Sequence, residues 1–168
     1  MVNVNRESAK KQSLYTPEER ARRDASAWTL VQGILAPLQF IVFAISLVLV
    51  VRYLATGDGY AIATASVLIK TLILYAIMIT GAIWEKDVFG KYLFAPAFFW
   101  EDVVSMLVMV LHTAYVAALL FNLTDPFGQM ILALAAYVSY VVNAAQFVIK
   151  LRQARLEAPS SKMTEEFA

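Results

Sequence analysis

Cysteine is absent from this chain, which excludes a disulfide framework, a thiolate nucleophile and any Cys-ligated metal. Charge is sparse: 16% of the residues are Asp, Glu, Lys or Arg, against about 25% in an ordinary soluble domain. A net charge of +1 lacks the basic footprint of a nucleic-acid binder, so no nucleic-acid partner is expected. Histidine occurs once, at His112, and one imidazole cannot build a protein-held metal site, which needs several ligands. No internal repeat or low-complexity segment stands out. What is abundant is apolar: 60% of the 168 residues are hydrophobic. A soluble single domain of this length buries only about two-thirds of the surface its chain exposes, too little to hide that much. A soluble enzyme, a disordered segment and a secreted disulfide scaffold are excluded together, and a small polytopic membrane protein remains.

The few charges are bunched, and the gaps between them carry the signal. Residues 25–51 have none, 59–84 only Lys70, and 103–124 and 126–149 no Asp, Glu, Lys or Arg. Each gap reaches the about 20 residues a helix needs to cross about 30 Å of hydrocarbon. Helix is required, because a strand or loop would leave backbone groups unpaired in lipid. The fold class expected is all-α: a transmembrane bundle of helices at about 29–53, 61–84, 101–121 and 127–149. Around this 29–149 domain lie a basic segment, 1–28, and a tail, 150–168. Residues 1–28 are too polar for a cleaved signal peptide, so the first span is expected to be retained.

Lys and Arg set the orientation. Residues 1–28 hold Arg6, Lys10, Lys11, Arg20, Arg22 and Arg23. The 85–100 link holds Lys86 and Lys91, the tail holds Lys150, Arg152, Arg155 and Lys162, and the opposite side has only Arg52. Both termini and the long link are expected in the cytoplasm. Thr16-Pro17-Glu18-Glu19 reads as a capping box with proline at the first helical position. A short helix carrying Arg20, Arg22 and Arg23 should follow and lie against anionic headgroups. The tail after Arg155, with Pro159, Ser160 and Ser161, reads as frayed.

Polar side chains are expensive in a membrane, so their placement is informative. Glu101, Ser105, His112 and Tyr115 share one face of the third span, spaced i, i+4, i+11 and i+14. Ser139, Asn143, Gln146 and Lys150 make a similar stripe on the fourth, and Gln32, Gln39 and Ser46 one on the first. Glu85, Glu101, Asp102, Gln32, Gln39, Asn143 and Gln146 all fall in the cytoplasmic half, which suggests a polar cavity open at that end. The competing readings are concrete. Gln32, Gln39, Ser139 and Asn143 can serve as packing glue between helices. Glu85, Asp87, Glu101 and Asp102 can be solvated link residues, and the start of a helix favours Glu101 and Asp102 through its dipole. Lys70, deep in the second span, either snorkels or pairs with a polar group on the third. His112 is either the axial ligand of a metal that a substrate brings or a histidine bonded to a backbone carbonyl. Between Phe89 and Trp100 the link has six aromatics, punctuated by Gly90 and Pro96; an interfacial belt and a pocket wall for a flat apolar ring system both account for them.

Several long strings now point to a family. They are Tyr-Thr-Pro-Glu-Glu-Arg-Ala-Arg-Arg-Asp-Ala-Ser at 15–26 and Trp-Thr-Leu-Val-Gln-Gly-Ile-Leu-Ala-Pro-Leu-Gln-Phe at 28–40. Thr-Gly-Ala-Ile-Trp-Glu-Lys-Asp-Val-Phe-Gly at 80–90, Tyr-Leu-Phe-Ala-Pro-Ala-Phe-Phe-Trp-Glu-Asp-Val at 92–103 and Asn-Ala-Ala-Gln-Phe at 143–147 complete the set. Over about residues 14–156 the sequence resembles the vinyl bacteriochlorophyllide hydratases. The resemblance implies hydration of the C3 vinyl group of a chlorophyllide to a 1-hydroxyethyl group, in bacteriochlorophyll synthesis, at a bacterial inner membrane. It implies a Mg-chlorin substrate, planar and apolar with a carboxylate edge, together with water and membrane lipid. Other enzymes of that pathway are candidate partners for the basic cytoplasmic face.

Such a hydration begins with protonation of the terminal vinyl carbon, and water then adds to the carbon attached to the ring. It needs a general acid, a base to orient water and control of bulk solvent, but no redox cofactor and no protein-bound metal. Burial lets a carboxyl keep its proton near neutral pH, and neighbouring carboxyls can divide acid and base roles. Glu101 or Glu85 is therefore expected as the acid, with Asp102 holding water. Asn143, Gln146 and Gln39 would contact water or ring substituents, Trp100 and the aromatic link would cover the ring, and His112 would ligate the substrate's Mg. The alternative is a non-catalytic pigment carrier, which would return its pigment with the vinyl group intact.

Overall fold

In the computed structural model, residues 14–157 are described; Arg6, Lys10, Lys11, Lys162 and the Pro159-Ser160-Ser161 stretch lie outside them. Five helices account for nearly all of this: α1 (Pro17–Ala25), α2 (Ala27–Thr56), α3 (Tyr60–Phe89), α4 (Phe99–Leu120) and α5 (Pro126–Glu157). The last four are long and apolar enough to cross a membrane.

Local chemistry sets the boundaries. The capping box opens α1 as expected: Glu19 N–H donates to Thr16 Oγ1 at 3.2 Å and Thr16 N–H to Glu19 Oε2 at 2.8 Å. Ser26 caps α2, accepting from Trp28 N–H at 3.3 Å. Gly57 and Gly90, at φ +78° and +80°, end α2 and α3 in the left-handed conformation, which glycine adopts without a Cβ penalty. Two helices outrun the apolar stretches that announced them. α3 continues past Trp84 to Phe89, and α5 continues past Ile149 to Glu157, beyond the expected onset of fraying. Charge marks where hydrocarbon ends, not where a helix ends, so Gly90 rather than Glu85 stops α3.

The long helices alternate in direction. α2 packs on α3 and α4 on α5; α5 then meets α2 and α3, and α3 meets α4. Phe43, Val50, Val67, Leu74, Val108, Tyr115, Met130 and Tyr137 form the core between them. Ile34, Ile41, Ile45, Val48, Leu72, Val110 and Val138 face outward, the apolar exterior that a lipid solvent accepts.

At one end of the bundle the starts of α2 and α4 meet the ends of α3 and α5. Trp84 Nε1 donates there to Thr29 Oγ1 at 2.9 Å. An aromatic cluster closes this end. Tyr15 stacks on Phe89 with centroids 5.8 Å apart, and Phe98 stacks on Phe147 at 5.9 Å. Trp84 meets both Phe89 and Phe98 edge-on. Burial in this cluster pushes the Tyr15 phenol above its ordinary range, although the Arg23 guanidinium over its ring works the other way. α1 is thereby fastened across α3.

Candidate active site

Three buried carboxyls gather at the closed end: Glu85 in the last turns of α3, and Glu101 and Asp102 in the first turn of α4. The 90–98 connection folds back onto two of them. Phe94 N–H donates to Asp102 Oδ2 at 2.7 Å, and Ala95 N–H to Glu85 Oε2 at 3.3 Å. Phe94 sits at φ +59°, a left-handed conformation that costs a non-glycine residue about 1–3 kcal/mol; the hydrogen bond to Asp102 holds it there. The Glu85 and Asp102 carboxyls thus accept from adjacent amides of one turn and lie close enough to interact electrostatically. Two carboxyls so placed can act as a proton donor and a proton acceptor on one substrate.

Glu101 is held differently. Its Oε2 accepts from Lys150 Nζ at 3.0 Å in a largely buried ion pair. Its backbone carbonyl accepts from Asn143 Nδ2 at 3.0 Å and from Ser105 Oγ at 2.8 Å. The stripes of the third and fourth spans thus meet face to face, as their spacing predicts. A cleft of about 270 Å³ opens beside the ion pair, lined by Glu101, Gln146, Ile149, Lys150 and Gln153. Gln146 Oε1 is buried and has no hydrogen-bond partner among the described residues.

The other expected residues lie elsewhere. Trp100 points outward, 68% exposed, with its ring edge-on to Phe99. Gln39 is buried in α2, its Oε1 unpartnered among the described residues. Gln32 Nε2 donates to Thr80 Oγ1 at 2.8 Å and ties α2 to α3. Asp87 accepts from the Ser26 hydroxyl, and Ser139 bonds the Ala136 carbonyl of its own helix. Of the link aromatics, Phe89 and Phe98 turn into the cluster with Tyr15, while Tyr92, Phe94, Phe99 and Trp100 remain exposed.

His112 lies about three turns deeper than Glu101, fully buried beside Tyr137, with Nδ1 2.8 Å from the Val108 carbonyl. Lys70 does not snorkel. Its Nζ lies 3.8 Å from the centroid of the Tyr140 ring, close enough to His112 for the two to interact electrostatically. Ser46, Ser66 and Tyr137 join hydroxyls in the same middle layer. Lys70 Nζ and His112 Nε2 have no hydrogen-bond partner among the described residues.

Lys150 marks the cytoplasmic side in the sequence, and its spacing of seven from Asn143 and four from Gln146 also places it on the stripe that faces Glu101. The amides of Phe94 and Ala95 had no such signal, because a backbone donor leaves no trace in the residue type.

Comparison with known proteins gives a consistent result. The family model described as 2-vinyl bacteriochlorophyllide hydratase matches residues 15–153. A protein named 2-vinyl bacteriochlorophyllide hydratase from Rhodobacter capsulatus is 68% identical over 150 residues, covering 89% of this chain and 87% of the relative. One of the same name from Cereibacter sphaeroides is 69% identical over 150 residues, covering 89% and 92%. No solved structure matches the chain.

Proposed function

The chain belongs to the 2-vinyl bacteriochlorophyllide hydratase family and is a hydro-lyase of bacteriochlorophyll biosynthesis, and from that premise we propose that it hydrates the C3 vinyl group of a chlorophyllide through the carboxyls at the closed end of its bundle. The observation that carries the proposal is that one turn of the 90–98 connection bonds both Glu85 and Asp102 beside the Glu101–Lys150 ion pair.

The chemistry follows from that geometry. Glu85 gives its proton to the terminal CH₂ of the vinyl group, which becomes a methyl group. Positive charge appears on the carbon attached to the macrocycle and spreads into the ring. Glu101, ion-paired with Lys150, stabilises it electrostatically. A water held by Asp102 adds its oxygen to that carbon and releases a proton to the carboxyl pair, which returns to its starting state with the net addition of one water. The cleft falls below the about 300–1,000 Å³ of a typical ligand pocket, so it takes an edge of the substrate while the flat ring lies against the apolar exterior and the exposed aromatics. In this reading the carboxyl end faces the cytoplasm, where Lys and Arg concentrate, and the protein sits in the bacterial inner membrane with both termini inside.

The test is to incubate membranes containing the protein with the 3-vinyl chlorophyllide in deuterated and in heavy-oxygen water. The product should gain one water by mass, with deuterium on the new methyl group and heavy oxygen on the ring-attached carbon. Oxygen on the terminal carbon would overturn the proton-first mechanism.

A further inference from the structure

We infer that Lys150 reads the free carboxylate of the substrate and makes the enzyme select the pigment acid over its ester. This inference rests on the proposed function, because it takes a chlorophyllide as the substrate.

Lys150 is the one cationic side chain lining the cleft. An ammonium has three N–H donors, and a single carboxylate contact, to Glu101, is formed by this one. Its side chain is only 24% exposed, so its charge acts through less water than that of a surface lysine. Beside it stand two neutral amides, Gln146 and Gln153, whose NH₂ groups are further donors for an oxyanion. Which atom of an amide is N or O is an assignment, interchangeable by a flip. The unpartnered Gln146 Oε1 therefore marks an amide whose polar end is uncommitted. The cleft's size suits a propionate-sized substituent rather than a tetrapyrrole. On an otherwise apolar substrate, the free carboxylate is the group such a cleft is built to recognise, and esterification removes its charge. Glu101 shares the same ammonium and offsets part of its attraction, which keeps discrimination moderate.

The experiment compares the free acid with its methyl ester as substrates for the wild-type enzyme, Lys150→Met and Lys150→Arg, with kcat and KM measured separately. Pigment binding is followed in parallel by absorbance titration. In the wild type the ester should show a KM about tenfold above that of the acid. Lys150→Met should bring the KM of the acid to that of the ester, so that their ratio falls from about tenfold to about one whatever both substrates lose in kcat through Glu101, and Lys150→Arg should recover part of the preference. The thermal unfolding temperature of each variant in detergent serves as the check that it is folded. Equal losses for acid and ester in Lys150→Met would mean that Lys150 acts only through Glu101 and would overturn the inference, as would a wild type indifferent to esterification. If neither pigment is hydrated, the proposed function fails, yet the titrations still decide whether Lys150 distinguishes acid from ester.

Discussion

The bundle carries two layers of buried polar side chains, and they differ in kind. At the closed end Glu85, Asp102, Glu101, Asn143 and Ser105 are bonded to loop amides, to one another or to Lys150, and a cleft opens beside them. In the middle, Lys70 and His112 are sealed among tyrosines, with Nζ and Nε2 unpartnered among the described residues. Both layers came from the same reasoning, that polarity in a membrane span marks function. A cost in burial becomes a capacity for chemistry only where complementary partners hold the groups and a substrate can reach them. In the end layer the groups are held by partners and Glu101 lines a cleft, while the middle layer joins helices.

The largest effect should come from removing the carboxyl pair. Glu85→Gln and Asp102→Asn are each expected to lower kcat by about 10²–10⁴-fold, the usual contribution of a positioned acid or base, with pigment binding retained in absorbance titrations. Near-normal turnover in both variants would dissolve the distinction between the layers. Glu101→Gln removes a stabilising charge but no proton donor, and should cost about tenfold to a hundredfold in kcat. Substitution in the middle layer should act on stability alone. Lys70→Met replaces a side chain whose Nζ has no hydrogen-bond partner among the described residues by an apolar chain of similar length; thermal unfolding in detergent should be unchanged or rise by about 1 kcal/mol, with kcat unaltered. His112→Leu should leave the absorption spectrum of bound pigment as it is. A spectral shift indicating loss of a Mg ligand would move His112 into the substrate site and redraw the comparison. The smallest effect is expected at Gly90→Ala. Nothing lies within 4 Å of the added Cβ, so only the φ of +80° opposes the change, at about 1 kcal/mol in an unfolding measurement.

Much of this was legible in the sequence. Uncharged runs predict the four long helices, and heptad-like spacing predicts that the stripes on α4 and α5 meet, as the Asn143, Ser105 and Glu101 contacts bear out. The capping box at Thr16 was legible because it depends on neighbours in sequence. Depth was harder. Glu101 and His112 share one face of α4, but a helical face cannot reveal that one end of it borders a cleft while the other is packed against Tyr137. Trp100 belongs to the aromatic link by position and to the exterior by geometry, since the turn after Gly90 divides the rings between the two. The left-handed Phe94 was invisible: nothing about phenylalanine announces that conformation, which accompanies the bonds from its own amide to Asp102 and from Ala95 to Glu85.

The aromatic cluster has a consequence in time as well as in space. Tyr15 lies ahead of every long helix and Phe147 lies in the last, yet both pack on Phe98. Chains are synthesised from the N-terminus, so Tyr15 waits for Phe89 and Phe98, and Phe98 waits in turn for Phe147. Glu101 waits in the same way for Asn143 and Lys150. A nascent chain inserted only as far as α4 has its carboxyls but neither the ion pair nor the cleft. The Glu101–Lys150 ion pair and the cleft beside it are therefore completed only by the final helix.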